Sequence, residues 1–303
     1  MKNFPPLLKG VGLGTLTGVL VGLAGFLIAS VSPGMGIVMF FLVPVSAGFT
    51  IGLVTPKGRK AQASAMLAVG VTLLILIATK MEGLVCAVMA FPLLIGGVAL
   101  GAWIGASLRA GPGQQGGNAR TGTMVLVIPL LIFTAHKVEE PMLNHTRIES
   151  ISSTVRLHTS PERAWSYIQS VDSIHSAKPW LMHIGLPVPL RCTLQKTAVG
   201  ARRTCYFDKG YIEETVTDWD PPHFMGLKID RTHMPGRHWL GFESASYRLD
   251  QDSDSTLLTR TTIISSHLYP AWYWRPLERL GVESEHRYLL DDVVNRVNLE
   301  DGR

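Results

Sequence analysis

Five apolar stretches occupy most of the first 136 residues and limit the folds open to this part of the chain. They cover residues 10–30, 34–54, 61–79, 83–108 and 121–135. The first four hold 19 to 26 residues, and about 20 are enough for a helix to cross the hydrocarbon core of a bilayer. The fifth is shorter and contains Pro129, so it either spans a thinned or tilted region or lies at the interface. We therefore predict an all-α transmembrane bundle of four or five spans over residues 1–136.

Charge is divided unevenly between the two halves of the chain. Residues 1–136 hold eight Lys/Arg and one acid, Glu82, whereas the rest of the chain holds 20 basic and 22 acidic residues. The sequence pI of about 9.2 therefore reflects the loops between apolar stretches, where positive charge sets membrane topology. We expect no nucleic-acid partner.

The basic residues of the first half predict its orientation. Seven of the eight stand before the first stretch, after the second and after the fourth: Lys2, Lys9, Lys57, Arg59, Lys60, Arg109 and Arg120. The eighth, Lys80, shares the loop after the third stretch with Glu82. The positive-inside rule then places the N-terminus in the cytoplasm of a multi-pass protein of the cytoplasmic (inner) membrane. Five spans, which we favour, put the C-terminal half outside the cytoplasm, and four put it inside. A cleaved signal peptide at residues 1–30 is the disfavoured alternative, because the apolar run is long and more spans follow.

The apolar stretches contain no Asp, Glu, Lys, Arg or His. This argues against an ion channel, a pump or a proton-coupled carrier, which keep ionisable groups at membrane depth. Glycines instead recur every four residues in the first and fourth stretches: Gly10, Gly14, Gly18, Gly22, Gly97, Gly101 and Gly105. Such faces let helix backbones approach closely, so we expect tight packing within the bundle, or a homo-oligomer formed through the same faces.

From about residue 147 the pattern becomes that of an α+β domain. Residues 147–157 alternate as a strand does, and Ser160 followed by Pro161 predicts the start of a helix. Further strands are expected over residues 188–197, 201–208, 211–219, 223–231, 238–250 and 255–266. A long amphipathic helix from Trp274 to about Leu299 ends the domain.

Several segments of this half resemble the SRPBCC superfamily, the START/polyketide-cyclase-like group. They are 155–165 (VRLHTSPERAW), 199–203 (VGARR) with Phe207 and Gly210, 214–219 (ETVTDW), Pro221-Pro222 and 247–249 (YRL). The resemblance implies a helix-grip domain over residues 147–303, in which an antiparallel sheet wraps around the C-terminal helix and leaves an apolar cavity. It is weak for function, because members range from lipid carriers to cyclases.

Strand alternation indicates which side chains line the implied cavity. A tight turn around Lys209-Gly210 would pair Phe207 with Ile212, Cys205 with Glu214 and Arg203 with Val216. Arg203 and Glu214 would then be diagonal neighbours on an otherwise apolar face. They either bind the polar end of a hydrophobic ligand or form a structural ion pair at the cavity rim. The expected cavity set is Arg203, Glu214, Phe207, Ile212, Val216 and Tyr247.

A second turn, at Ala198-Val199, would place Cys192 opposite Cys205 in adjacent strands. A disulfide between them is geometrically possible and would be expected outside the cytoplasm. The alternative is a pair of buried thiols. Cys86, in the fourth stretch, is not part of a disulfide under either interpretation.

Motifs for catalysis or metal binding are missing from the sequence. The histidines fit no zinc spacing, and no nucleophile elbow, phosphate loop or dinucleotide fingerprint has a plausible setting. We therefore predict no catalytic residue, no metal and no cofactor.

The favoured function is a membrane-anchored binding or carrier protein for a hydrophobic small molecule, with membrane lipids or another hydrophobic compound as partner. The alternatives are a cyclase, dehydratase or hydrolase that uses Glu214 or a cavity histidine as general base, and an interaction module regulated by its ligand.

Overall fold

The computed structural model describes residues 6–32, 34–55, 58–109, 117–234 and 239–300. Of the basic residues that predict the orientation, Lys2 and Lys57 lie outside these ranges, and the side chains of Lys9, Arg109 and Arg120 are not described. The chain divides into two compact units. One is a helical unit formed mainly by residues up to 145, and the other is an α+β unit formed mainly by residues from 146 onward.

The helical unit is built from long apolar helices. They are α1 (Pro6–Ala29), a π-helical turn (Val38–Leu42) that runs into α2 (Val43–Val54), α3 (Arg59–Ala78), α4 (Leu84–Arg109) and α5 (Gly117–Leu143). The fifth apolar stretch is thus part of a longer helix, which continues past residue 135 to the charged residues Lys137, Glu139 and Glu140.

Three of these helices are long and apolar enough to cross a membrane by themselves. They comprise Gly10–Ala29, Arg59–Ala78 and Leu84–Leu108, while Val38–Val54 forms a shorter apolar helix. The expected count of four to five spans is therefore approximate. Within the described part of the chain, the structure supports an N-terminal membrane region with three clear candidate spans.

The glycine faces of the first and fourth stretches pack inside this unit. A Cβ built on Gly101 of α4 would lie 1.9 Å from the carbonyl oxygen of Val45 in α2. A Cβ on Gly18 of α1 would lie 2.6 Å from Ile51 Cδ1 of α2. Both faces are therefore occupied by other helices of the same chain, and close backbone approach requires glycine there.

The α+β unit is a single antiparallel sheet with three helices. Its strands are β1 (Arg147–Leu157), β2 (Pro189–Leu194), β3 (Arg202–Phe207), β4 (Gly210–Asp220), β5 (Phe224–His233), β6 (Leu240–Asp252) and β7 (Ser255–Ser266). Their order in the sheet is β1-β7-β6-β5-β4-β3-β2. The helices are α6 (Pro161–Gln169), α7 (Trp180–His183) and α8 (Ala271–Glu300).

Helix α6 begins where the sequence indicates. The Ser160 hydroxyl accepts a hydrogen bond from the backbone N–H of Arg163 at 3.5 Å, and Pro161 occupies the first turn. Both features suit the N-terminus of a helix, where backbone N–H groups lack carbonyl partners.

The sheet curls around α8, and the core lies between them. Leu290 and Val293 of α8 pack with Met225, Leu227 and Leu258 of the sheet in the main buried cluster. This is the helix-grip arrangement, so the predicted fold class of the C-terminal half is confirmed.

Candidate functional site

A buried ion pair lies on the inner face of the sheet. Arg203 Nη1 of β3 donates a hydrogen bond to Glu214 Oε2 of β4 at 2.6 Å, and the two side chains are 2% and 6% exposed. Their neighbours on this face include Ile212 and Val216, which are also buried. The sequence places both ionised groups in an apolar setting because the alternation of β3 and β4 continues through them.

The strand register differs from the prediction by two residues. Arg203 is directly opposite Glu214, Cys205 is opposite Ile212 and Phe207 is opposite Gly210. The expected pairings of Phe207 with Ile212, Cys205 with Glu214 and Arg203 with Val216 were therefore wrong. The physical reason is a tighter turn, which contains only Asp208 and Lys209.

Glycine at position 210 allows this turn. Gly210 has a φ of +152°, and a Cβ there would lie 1.9 Å from the carbonyl oxygen of His233 in β5. Any other residue would collide with the neighbouring strand and strain the backbone. Because the turn is shorter than expected, Arg203 and Glu214 are direct cross-strand partners and not diagonal neighbours.

A second ion pair extends the polar site toward α8. Arg260 of β7 donates from Nη2 to both carboxylate oxygens of Glu285, at 2.9 and 3.2 Å, and from Nη1 to the Tyr247 hydroxyl of β6. The Arg260 guanidinium also lies over the Tyr247 ring, 5.0 Å from its centroid. The side chains of Arg260 and Glu285 are 10% and 19% exposed. This end of the network is therefore more open than the Arg203–Glu214 end.

Both arginines stay charged in this setting. Burial by itself lowers the pKa of Arg203, but the Glu214 carboxylate more than offsets this and the pKa is raised. The pKa of Arg260 is likewise raised, because the effect of burial is outweighed by Glu285, Tyr247 and Glu214. Hydrogen bonds and opposite charges favour the charged form of each guanidinium.

Glu285 is shifted toward its neutral form. Burial raises its pKa, Arg260 opposes this, and the nearby charge of Glu214 raises the pKa further. A carboxylate that is desolvated and close to a second carboxylate binds a proton more readily than usual.

A neutral imidazole lies next to this network. His286 is fully buried, with Nε2 2.8 Å from the Thr262 hydroxyl and Nδ1 3.0 Å from the Ser153 hydroxyl. Burial, together with the positive charge of Arg260, lowers the pKa of His286 to about 2. At neutral pH the ring is therefore an uncharged hydrogen-bonding group.

The six residues expected to line the cavity fall into different environments. Arg203, Glu214 and Tyr247 belong to the polar network, while Val216 packs in the main core cluster. Ile212 is buried between the strands, and Phe207 packs against Cys192 and Cys205. Their role as ligand contacts remains a prediction.

Cys192 and Cys205 form a disulfide that joins β2 to β3. The two residues are direct cross-strand partners. The Cys205 sulfur lies 3.7 Å from Glu214 Oε2, so the bridge borders the ion pair. Cys86 is not part of this disulfide.

Strands β5 and β6 of the sheet move apart at one end, beside the ion pair. Strands β5 and β6 pair from Phe224↔Arg248 to Lys228↔Ser244, and within the described residues their pairing ends there. Past this point β5 remains paired with β4, and β6 with β7. Ile229 is the first β5 residue beyond the split and is the cross-strand partner of Glu214. Phe242, across the split on β6, is also only partly buried.

The sequence interpretation missed Arg260, Glu285 and His286. Glu285 lies at helical spacing from Val282 and Leu289, so it occupies the apolar face of α8. A charged residue on a face otherwise assigned to the core was the available signal. Among the residues that the structure describes, no cluster of three or more His, Cys, Asp or Glu is arranged to hold a metal ion.

Comparison with known proteins bears on the α+β unit. Residues 149–298 match a family described as polyketide cyclase / dehydrase and lipid transport. No curated protein matches the chain.

Solved structures with a similar fold share little sequence with this chain. A START superfamily protein from Mycobacterium smegmatis is 14% identical, with 50% of this chain and 97% of that one covered and a TM-score of 0.37. A polyketide-cyclase-like protein from Corynebacterium glutamicum is 12% identical over 51% and 94%, with a TM-score of 0.32. A norcoclaurine synthase mutant from Thalictrum flavum is 12% identical over 52% and 99%, with a TM-score of 0.34. At these levels the similarities carry no argument about activity.

Proposed function

Residues 149–298 form an SRPBCC domain, and we propose that this domain binds a hydrophobic small molecule between its sheet and α8 while the N-terminal helices anchor it in a membrane. The bound compound would be a membrane lipid or another hydrophobic molecule such as a polycyclic compound. The protein would shield this molecule from water or pass it on.

One observation carries the proposal: a buried ion pair stands in an apolar interior at the point where the sheet opens. Replacing a buried ion pair with packed apolar residues is often neutral or stabilising. The Arg203–Glu214 pair is therefore poorly explained by stability alone. Ile229, the partner of Glu214 in β5, borders the separation between β5 and β6. A ligand that entered there would meet the ion pair with its polar end and apolar side chains with the rest.

The helices and the charge pattern support the proposed membrane location. Among the described residues, three helices are long and apolar enough to span a bilayer, and the positive loops favour a cytoplasmic N-terminus in an inner membrane. The Cys192–Cys205 disulfide suits an oxidising compartment. With the favoured five spans, the charge pattern would put the SRPBCC domain on the outer side of that membrane, and the disulfide supports the same side.

Attachment to a membrane suits a carrier of hydrophobic molecules. Moving an apolar molecule through water costs about 25 cal/mol for each Å² of apolar surface exposed. An apolar interior on a membrane-anchored chain shortens the aqueous path and lowers this cost.

Glu214 and His286, the carboxylate and the buried histidine considered as general bases, are poorly suited to that role. The Glu214 carboxylate is already paired with Arg203 at 2.6 Å. His286 has its pKa lowered to about 2, far from the value near 7 that favours a general base. The binding function is therefore the better supported of the two.

The test is native mass spectrometry of the full-length protein purified from membranes in a mild non-ionic detergent. We expect a discrete bound mass of an extractable hydrophobic compound. The double variant Arg203→Met/Glu214→Leu replaces both charged side chains with apolar side chains of similar volume. It should therefore remain folded but lose the bound mass.

The matched control removes an ion pair of the same type from the outer face of α8. Arg279→Gln/Glu283→Gln changes side chains that are 59% and 42% exposed, and it should retain the bound compound. No bound mass in the wild-type protein, or equal retention by both double variants, would contradict the proposal.

A further inference from the structure

We infer, building on the proposed binding function, that the hydrophobic molecule carries one negative charge on its polar end and that this end binds between Arg203 and Arg260. The ligand class is then a monoanionic amphiphile. A free carboxylic acid with a long apolar chain and a phosphodiester lipid whose head group carries no cation both have this chemistry.

Unsatisfied hydrogen-bond donors are the first reason. The Nε–H groups of Arg203 and Arg260 are buried and have no hydrogen-bond partner. Both side chains are at least nine-tenths buried, so water does not readily satisfy these donors. An unpaired buried donor costs about 1–3 kcal/mol, and more in a charged group. An anionic head group would supply the missing acceptors.

The two arginines act within one connected network. Arg260 lies close enough to Arg203 for their like charges to oppose each other, and Tyr247 accepts a hydrogen bond from Arg260. Arg203 lies beside the separation of β5 and β6 through its partner Glu214. One anionic group placed in this network would interact favourably with both guanidinium groups.

Charge balance sets the head group at one negative charge. Arg203 and Arg260 balance Glu214 and Glu285, so the network is neutral when all four are ionised. Glu285 faces Arg260 of β7, Glu214 of β4 and Arg203 of β3, and its pKa is raised. Uptake of one proton by Glu285 would offset one ligand charge. A dianionic phosphate monoester would leave an uncompensated buried charge, which is costly.

Apolar side chains next to the network fit the rest of an amphiphile. Ile229 and Phe242 face the separation between β5 and β6, and both are partly buried. Ile212 and Val216 continue the apolar surface on β4. The arrangement therefore offers a charged end and an apolar path in one site.

The experiment gives the full-length protein, in non-ionic detergent, an equimolar mixture of oleate and methyl oleate. Native mass spectrometry distinguishes the two adducts by mass in the same sample. A second mixture contains phosphatidylglycerol and phosphatidylcholine with identical acyl chains, and it separates a lipid head group from a free acid as the source. We expect the anionic member of at least one mixture to be bound about tenfold more than its partner, as expected for one added charge-assisted hydrogen bond.

Conservative variants show whether the arginines are responsible. Arg203→Lys and Arg260→Lys keep the positive charge and can still pair with a carboxylate, but they lose the Nε donor. Each should reduce the preference for the anion about tenfold, without lowering the uptake of the neutral compound. Arg279→Lys, on the exposed face of α8, is the control and should behave as wild type.

The outcomes separate this inference from the function on which it rests. Equal uptake of anionic and neutral members in both mixtures would overturn the charged head group and leave hydrophobic binding intact. Failure to bind any of the four compounds would overturn the anionic head group, while the proposed function would still be decided by the mass that the wild-type protein carries from membranes. An anion preference that persists in both lysine variants would overturn the assignment to Arg203 and Arg260. The comparison of mixtures uses the wild-type protein, so it decides the head group even if a variant does not fold.

Discussion

Removing one partner of the Arg203–Glu214 pair should destabilise the domain far more than removing both. The side chains are 2% and 6% exposed and lie 2.6 Å apart, so Arg203→Met leaves the Glu214 carboxylate without its counter-charge. An uncompensated buried charge of this kind costs about 3–5 kcal/mol. Arg203→Met/Glu214→Leu removes both charges, and such replacements are neutral or stabilising by about 1–4 kcal/mol. The two substitutions should therefore be strongly non-additive.

The assay is hydrogen–deuterium exchange of the full-length protein in detergent, followed in peptides from β3 and β4. Exchange in the stable core reports the free energy of opening for that region. We expect much faster exchange in the single variant and near wild-type exchange in the double variant. Equal acceleration in both would refute the reasoning, because it would mean that the pair stabilises the sheet by its own attraction.

Three further predictions concern helix packing, pH dependence and the cysteines. Gly101→Ala in α4 places a methyl group 1.9 Å from a carbonyl oxygen of α2. Thermal unfolding in detergent should therefore show that the free energy of unfolding falls by about 1–3 kcal/mol. Gly96→Ala, with nothing within 4 Å of its Cβ, should show no such fall. Because His286 has its pKa lowered from 6.5 to about 2, its contribution to stability is lost as pH falls below 6.5, by about 1.4 kcal/mol per pH unit. Glu285, whose pKa is raised, makes the free energy of unfolding change with pH in the opposite direction. The part of this pH dependence that disappears in His286→Gln therefore belongs to the histidine. An unchanged pH dependence in that variant would contradict a neutral buried ring. Thiol titration of the denatured protein should find one thiol, Cys86, without reductant and three after reduction, whereas three before reduction would exclude the disulfide.

Much of the α+β fold could be predicted because its patterns are local. The alternation of β1, the cap at Ser160 and the apolar repeat of α8 each depend on neighbours within a few residues. The position of Cys192 opposite Cys205 also followed from strand alternation and from one short connection.

The register of β3 and β4 was predicted wrongly because it depends on turn geometry. A loop of two residues or of four residues between Phe207 and its partner keeps the same faces inward. Alternation therefore could not decide whether Glu214 pairs with Arg203 or with Cys205. The approach of β5 to Gly210 favours the shorter turn, and this contact is not local in sequence.

The full polar network could not be predicted because five elements contribute to it. Arg203, Glu214, Tyr247, Arg260 and Glu285 come from β3, β4, β6, β7 and α8. The curl of the sheet brings them together, and strand alternation contains no measure of curvature. The point at which β5 and β6 cease to pair could not be predicted for the same reason, since the sequences of both strands alternate regularly.

Photo-crosslinking in cells shows whether a hydrophobic molecule enters the SRPBCC domain. Cells that express the full-length protein would be supplied with a fatty acid that has a photoreactive group in its chain, irradiated, and the labelled peptides identified by mass spectrometry. The account predicts labels on inward-facing residues of β4, β5, β6 and α8, with Ile229 and Phe242 among them, and loss of these labels in Arg203→Met/Glu214→Leu. Labels confined to the membrane helices, with none inside the SRPBCC domain, would contradict it.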